Sequence, residues 1–292
     1  MSTYNGEEYL RTQLNSILKQ KTGALVDIFV RDDGSTDGTV EILKEAGINY
    51  YQGKNLGPAK SFFELLQNTE GYDYYAFADQ DDYWCPNKLE AGMERLQKYS
   101  GIPALVFSNP YIGDEKLHRT GKKVYRKAPD VSLSTVGVCG NIIGCSVMIN
   151  EKLAGIIRNH RSPECIRMHD FYLAVITAAL GGRIIFDSRA YMIYRQHSSN
   201  TEGVPIGVLN TLRNRYKEIT KKQSVSISGQ AAEILREYGE LFPKKNRVVL
   251  KKIATYDRSF FSRAGLALSL KTRYISINMS VTNRLGLLLG NR

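Results

Sequence analysis

The chain is poor in the residues that mark several common protein classes. Its 292 residues include four cysteines, four histidines, eight prolines and one tryptophan. The cysteines, Cys85, Cys139, Cys145 and Cys165, show no C-x-x-C spacing. A secreted disulfide scaffold is shorter and denser in cysteine, so a reducing compartment is favoured. The histidines, His118, His160, His169 and His197, lack H-x-x-x-H spacing, which argues against zinc. No apolar run reaches membrane-spanning length and no signal peptide is legible, so a cytoplasmic location is expected. There is no G-x-G-x-x-G after a strand, no G-x-x-x-x-G-K-[ST] and no G-x-S-x-G. Dinucleotide binding, P-loop hydrolysis and a hydrolase elbow therefore lose support.

Negative charge is scarce in one region only. From Met1 to Val204 there are 23 Lys and Arg against 24 Asp and Glu; from Pro205 to Arg292 there are 17 against 5. The whole excess behind the net charge of +11 thus lies in the last third. Nucleic acid is the first partner such a charge suggests, but no helix-turn-helix, RNP or zinc pattern accompanies it. At 42% hydrophobic and 24% charged residues, the chain is neither disordered nor a multispanning membrane protein.

Apolar periodicity predicts alternating helices and strands. Asn5-Gly6-Glu7-Glu8 reads as a capping box before a helix with Leu10, Leu14, Ile17 and Leu18 on one face. Val26–Val30 reads as a strand ending at Asp32-Asp33, and Asp37 as the cap of the next helix. Ile48–Tyr51 is a further strand, and Pro58 opens a helix. Tyr74–Ala78 is a strand running into Asp79-Gln80-Asp81-Asp82, and Ala104–Phe107 another. Asn141–Asn150 and Arg183–Phe186 read as strands, His169–Leu180 as a helix. This βαβα rhythm implies an α/β protein with a mostly parallel, Rossmann-like sheet flanked by helices. The strand expected before Ser2 is missing or curtailed. Beyond Val204 the pattern turns helical and basic.

In open parallel sheets, ligands sit beyond the carboxyl ends of strands. Two acidic clusters fall at such ends: Asp32-Asp33, and Asp79, Asp81 and Asp82. Carboxylates in this arrangement suit Mg²⁺ or Mn²⁺ bridging to a phosphate. A bland alternative, caps and loop solvation, fits Asp37 and Asp82 taken alone.

Three segments carry a resemblance: Ser2–Leu10 (STYNGEEYL), Arg31–Thr39 (RDDGSTDGT) and Asp79–Trp84 (DQDDYW). Together with Gly140-Asn141, His169-Asp170 and Tyr194-Arg195-Gln196-His197, they resemble the ordered motifs of family 2 glycosyltransferases with the GT-A fold. "MHDFYLA" and "YRQHSSN" are similar to bacterial rhamnosyltransferases of cell-wall or capsular polysaccharide synthesis. The resemblance implies a catalytic domain over 1–204, with a nucleotide-sugar half (about 1–107) and an acceptor half (108–204), followed by a basic helical region, 205–292. By the same resemblance, Thr3 and Tyr4 border the nucleotide base and Asp33 accepts from it, with Asp32 supporting the loop. Asp79 lies near the ribose or diphosphate, Asp81 holds the metal, Asp170 is the base, and His197 reaches the diphosphate or the metal.

The resulting expectation is an inverting, metal-dependent transferase using Mg²⁺ or Mn²⁺. It would move L-rhamnose from dTDP-rhamnose to a lipid-linked saccharide. The alternatives are another donor, such as UDP-glucose or UDP-galactose, or a non-catalytic sugar-nucleotide-binding subunit. The amphipathic basic segment 205–292 would rest on the anionic inner face of the cell membrane, or simply pack on the catalytic domain.

Overall fold

A computed structural model describes residues 1–197, 225–269 and 277–291; the boundary expected after Val204 lies outside them. The chain divides into two compact units. The first is Met1–Tyr125, Ile143–Ser162 and Arg183–Asn200; the second is Arg126–Ile142, Pro163–Gly182 and Thr201–Arg292. All the described strands belong to the first.

Three strands of the first unit, β1 (Ser2–Thr3), β2 (Phe29–Asp32) and β3 (Asn49–Gln52), run parallel in the order β1-β2-β3. The first strand, expected to be curtailed, is two residues long, and its register sets Thr3 beside Asp32. A second sheet has the order β10 (Arg183–Asp187), β6 (Ala104–Ser108), β9 (Met148–Asn150), β4 (Tyr74–Ala76). Here β10 is parallel to β6, while β9 is antiparallel to both its neighbours. A third sheet orders β5 (Tyr83–Trp84), β11 (Met192–Arg195), β7 (Tyr111–Gly113) and β8 (Arg119–Lys123), bringing β11 beside the Asp79–Asp82 loop.

Helices α1 (Leu10–Leu18), α2 (Thr39–Glu45), α3 (Pro58–Gln67) and α4 (Lys88–Leu96) follow the strands in alternation, and α5 (Leu133–Val136) and α6 (Glu151–Arg158) come later in the chain. Helix α1 buries Leu10, Leu14 and Ile17 on the face the spacing predicts, while Leu18 is exposed. Its start differs from expectation. Asn5 takes φ 46°, a conformation open to Asn through its short polar side chain, and its Oδ1 accepts from Thr36 N–H at 2.9 Å. Glu7 likewise accepts from Gly38 N–H at 2.8 Å. These polar side chains tie two loops together instead of capping α1. Pro58 does open α3, after Gly57 at φ 77°, because its fixed φ suits a first turn. Strand β9 is shorter than the apolar run 141–150 predicts, since Gly144–Ser146 forms a 3₁₀ turn whose Ser146 hydroxyl donates to Ile143 C=O.

Side chains from α1, β2, α2, α4, β6, β9 and β11 meet in one core, including Leu10, Leu14, Val30, Leu43, Leu96, Val106, Met148 and Met192. An apolar cleft of about 530 Å³ opens onto this core on the side of β2 and β4, with Met1, Ile17, Trp84 and Met148 among its lining. Phe29, Phe62, Tyr75 and Phe77 line it, with Leu25 and Val26 exposed at its rim.

The described part of the second unit is helical. Helix α7 (His169–Ala179), apolar around most of its circumference, buries every residue except Ala178. Tyr172 meets Tyr238, of helix Ile227–Tyr238, edge to face at 6.5 Å. From that helix Glu233 accepts from the N–H groups of Glu164 and Cys165, and Gln230 from that of Arg167. Asn246, of helix Lys244–Ala254, donates to the carbonyls of Ala178 and Ala179, supplying partners that the end of α7 lacks. Among the described residues no helix is long and apolar enough to cross a membrane.

Candidate active site

The carboxyl ends of β1 and β2 form the first wall. Asp32 is buried. Its Oδ1 accepts from the Thr3 and Ser35 hydroxyls and its Oδ2 from Ser35 N–H and Gln52 Nε2. Asp33, also buried, accepts from Arg31 and from the N–H groups of Leu56 and Gly57, both at 2.8 Å. The pair therefore shapes two loops. Arg31, which sequence reasoning passed over, is the largest fully buried side chain here; it also reaches Ser61, Lys54 C=O and Glu64. Tyr4 is 47% exposed, while its backbone N–H and C=O are both bonded by the Gln80 side chain. Gln80 thus joins β1 to the acidic loop, a bridge whose only sequence signal was its place within DQDD.

The acidic loop forms the second wall. His197, just past β11, sets Nε2 2.8 Å from Asp81 Oδ2, and both side chains are largely buried. Asp82 is fully buried and accepts from Arg195 N–H at 3.1 Å; it is not a loop-solvation residue. Burial, then the charge of Asp81, pushes the Asp79 carboxyl up to about 7. Burial followed by the charges of Asp81 and Asp79 raises Asp82 well above the usual carboxylate range. Beneath them the buried Lys88 lies 3.9 Å from the centroid of the buried Trp84, and burial lowers its ammonium pKa to about 8.

This crowding tests whether a cation fits. Among the described residues the closest set of possible ligands is Asp79, Asp82 and Cys145, with donor atoms within 4.8 Å of one another. Yet burial drives the Cys145 thiol pKa well above its ordinary value, and sulfur suits neither Mg²⁺ nor Mn²⁺. Asp81 and His197 are the better match, an oxygen and a nitrogen donor side by side next to carboxyls whose ionisation a positive ion would favour.

The first unit thus brings together Thr3, Tyr4, Asp32, Asp33, Asp79, Asp81 and His197. Asp170 belongs to the second unit, in the first turn of α7 behind Met168; it is 8% exposed and its Oδ1 accepts from Phe171 N–H at 2.6 Å. A carboxylate there is favoured by the positive end of the helix. Its neighbour His169 is buried, and burial lowers its imidazole pKa to about 3.

Parallel β-α units with an acidic loop and a histidine beyond the strand ends form the kind of place where α/β sheets bind ligands, and comparison with known proteins identifies the class. Residues 1–154 match glycosyl transferase family 2, and the chain belongs to that family. It is a glycosyltransferase. It is 30% identical over 249 residues to the dTDP-rhamnosyl transferase RfbG of Shigella flexneri, covering 76% of this chain and 82% of that protein. An uncharacterized glycosyltransferase of Rickettsia typhi is 24% identical over 265 residues, 86% of this chain and 81% of the relative. In fold the chain is similar to S. aureus TarS 1–349 in complex with UDP, at a TM-score of 0.56 and 19% identity, over 92% of this chain and 74% of that one. The same protein in complex with UDP-GlcNAc superposes with a TM-score of 0.56 and 18% identity over 100% of this chain and 80% of that one.

Proposed function

We propose that this glycosyltransferase moves L-rhamnose from dTDP-β-L-rhamnose to a lipid-linked saccharide, with inversion, in polysaccharide synthesis. The observation that carries the reading is the Asp81–His197 pair beside the exposed Tyr4 and the Asp32–Asp33 loops, in a chain 30% identical to a dTDP-rhamnosyl transferase. Tyr4 stacks on the pyrimidine, with Thr3 and Asp33 at its edge and Asp32 holding the loop. Asp79 faces the ribose or diphosphate. Asp81 and His197 hold Mg²⁺ or Mn²⁺, which when bound offsets the charge of the departing diphosphate.

Asp170 takes the proton of the acceptor hydroxyl. The acceptor oxygen bonds to the anomeric carbon as the bond from that carbon to the phosphate oxygen breaks, and dTDP leaves. A single displacement without an enzyme nucleophile turns the β-linked donor into an α-L-rhamnoside. The basic region 205–292 brings the enzyme to the membrane that carries its acceptor. Exposed Val248, Phe260, Phe261 and Leu268 stand among Lys244, Lys245, Arg247, Lys251, Lys252 and Arg258 there, a composition suited to an anionic interface.

The test measures nucleoside diphosphate release from dTDP-rhamnose, UDP-glucose and UDP-galactose, with Mn²⁺ or Mg²⁺ and membrane extract. Turnover of dTDP-rhamnose that is lost in Asp81→Ala supports the reading. Preference for a UDP-sugar replaces the donor, and nucleotide binding without turnover of any donor points to a non-catalytic subunit.

A further inference from the structure

Behind Asp81 and His197 lies a stacked group of side chains that the reaction scheme leaves unused. Arg195 is 5% exposed. Its Nε donates to the carbonyl of Asp81 and its Nη1 to the carbonyl of Glu115, while its own N–H donates to Asp82. The Tyr9 ring packs against two neighbours. The Arg195 guanidinium carbon lies 4.5 Å from its centroid, and the His197 ring centroid lies 4.6 Å away with 36° between planes. Tyr9 Oη donates to Glu115 Oε1 at 3.1 Å. Glu115 sits in the β7–β8 connection, where Leu117 takes φ 66°, a conformation that needs support from its surroundings. Four segments meet at this stack: the turn before α1, the acidic loop, the β7–β8 connection and the end of β11.

A planar guanidinium can bond two carbonyls and present a face to an aromatic ring at once; an ammonium cannot. Losing a group that orients a metal ligand typically costs about 10–100-fold in metal affinity. We propose that Arg195 and Tyr9 are positioning residues: Arg195 fixes the main chain of Asp81, and Tyr9 fixes the ring of His197. The two donor atoms are thereby held side by side, 2.8 Å apart. This rests on the reading that Asp81 and His197 hold the divalent ion.

The test titrates Mn²⁺ into the full chain, with and without dTDP, and follows free Mn²⁺ by electron paramagnetic resonance. Thermal midpoints are recorded for every variant. Arg195→Lys and Tyr9→Leu are expected to weaken Mn²⁺ binding roughly 10–100-fold. Tyr9→Phe, which keeps the stacked ring, stays within about threefold of the parent, a rescue that marks the stack and not the hydroxyl. If Arg195→Lys does not fold, Tyr9→Leu against Tyr9→Phe carries the test, since both leave the hydrogen bonds of Arg195 in place. Parent-like Mn²⁺ binding in Arg195→Lys and Tyr9→Leu, with binding lost in Asp81→Ala and His197→Ala, overturns the proposal. Parent-like binding in Asp81→Ala and His197→Ala overturns the metal assignment itself.

Discussion

Asp32 and Asp33 are adjacent acidic residues with different bonding partners. Asp32 takes its hydrogen bonds from β1, β3 and its own turn, Asp33 from Arg31 and the 55–57 loop. The motif was legible in the sequence, but its distant partners Thr3, Gln52, Leu56 and Gly57 were not, because they lie 20 to 29 residues away and are brought close only by folding. The same is true of Gln80 and Arg195, each read as a motif letter and each found spanning segments. Two predictions belong at this scale. If Asp170 is the general base proposed above, Asp170→Asn should lower kcat by about 10²–10⁴ with little change in donor KM; steady-state kinetics of nucleoside diphosphate release checks it. His169, buried and neutral with a folded pKa of about 3 against 6.5 when free, binds fewer protons folded than unfolded between those values. Its contribution to stability is complete above pH 6.5 and is lost as pH falls toward 3, on the order of a few kcal/mol. Urea midpoints measured from pH 7 to 4 should fall less steeply in His169→Leu than in the parent.

Among the elements, periodicity located most helices and strands, and failed where polar side chains redirected the chain. The capping-box reading of Asn5–Glu8 was chemically sound, yet those groups found partners across a loop instead of within a turn. The apolar run before Asn150 broke at Gly144 because a 3₁₀ turn was stabilised by a serine. Asn150 shows how much one polar residue can hold. Its Oδ1 accepts from Leu153 N–H, capping the helix Glu151–Arg158, and from Ala104 N–H of β6, while Nδ2 donates to Tyr99 and Ile102 carbonyls. Asn150→Ala should cost about 2–4 kcal/mol through the lost cap and orphaned backbone groups, measured by denaturant unfolding. The cost should exceed that of removing a simple surface cap.

For the whole chain, the uneven charge takes on a physical form. The first unit concentrates buried carboxyls, whereas the described helices after residue 243 carry exposed aromatic and basic residues together. If that region docks on membrane, the double variant Phe260→Ser/Phe261→Ser should bind anionic vesicles at least tenfold more weakly, because two exposed aromatic side chains bury about 1.5–3 kcal/mol each on insertion. Co-sedimentation with vesicles of defined anionic lipid content checks this, and equal binding to neutral vesicles would refute an electrostatic role.

The apolar cleft lined by Phe29, Phe62, Tyr75 and Phe77 has a further consequence, for solubility. Strand β4 pairs only with β9 among the described strands, and Leu25 and Val26 stand exposed at the cleft rim. An unpaired strand edge next to apolar side chains is a template on which another chain's backbone can pair. Self-association should therefore begin at this edge as protein concentration rises, and Val26→Lys should suppress it, as read by light scattering, while leaving the thermal midpoint unchanged. This strand edge would then set how much enzyme can be kept in solution.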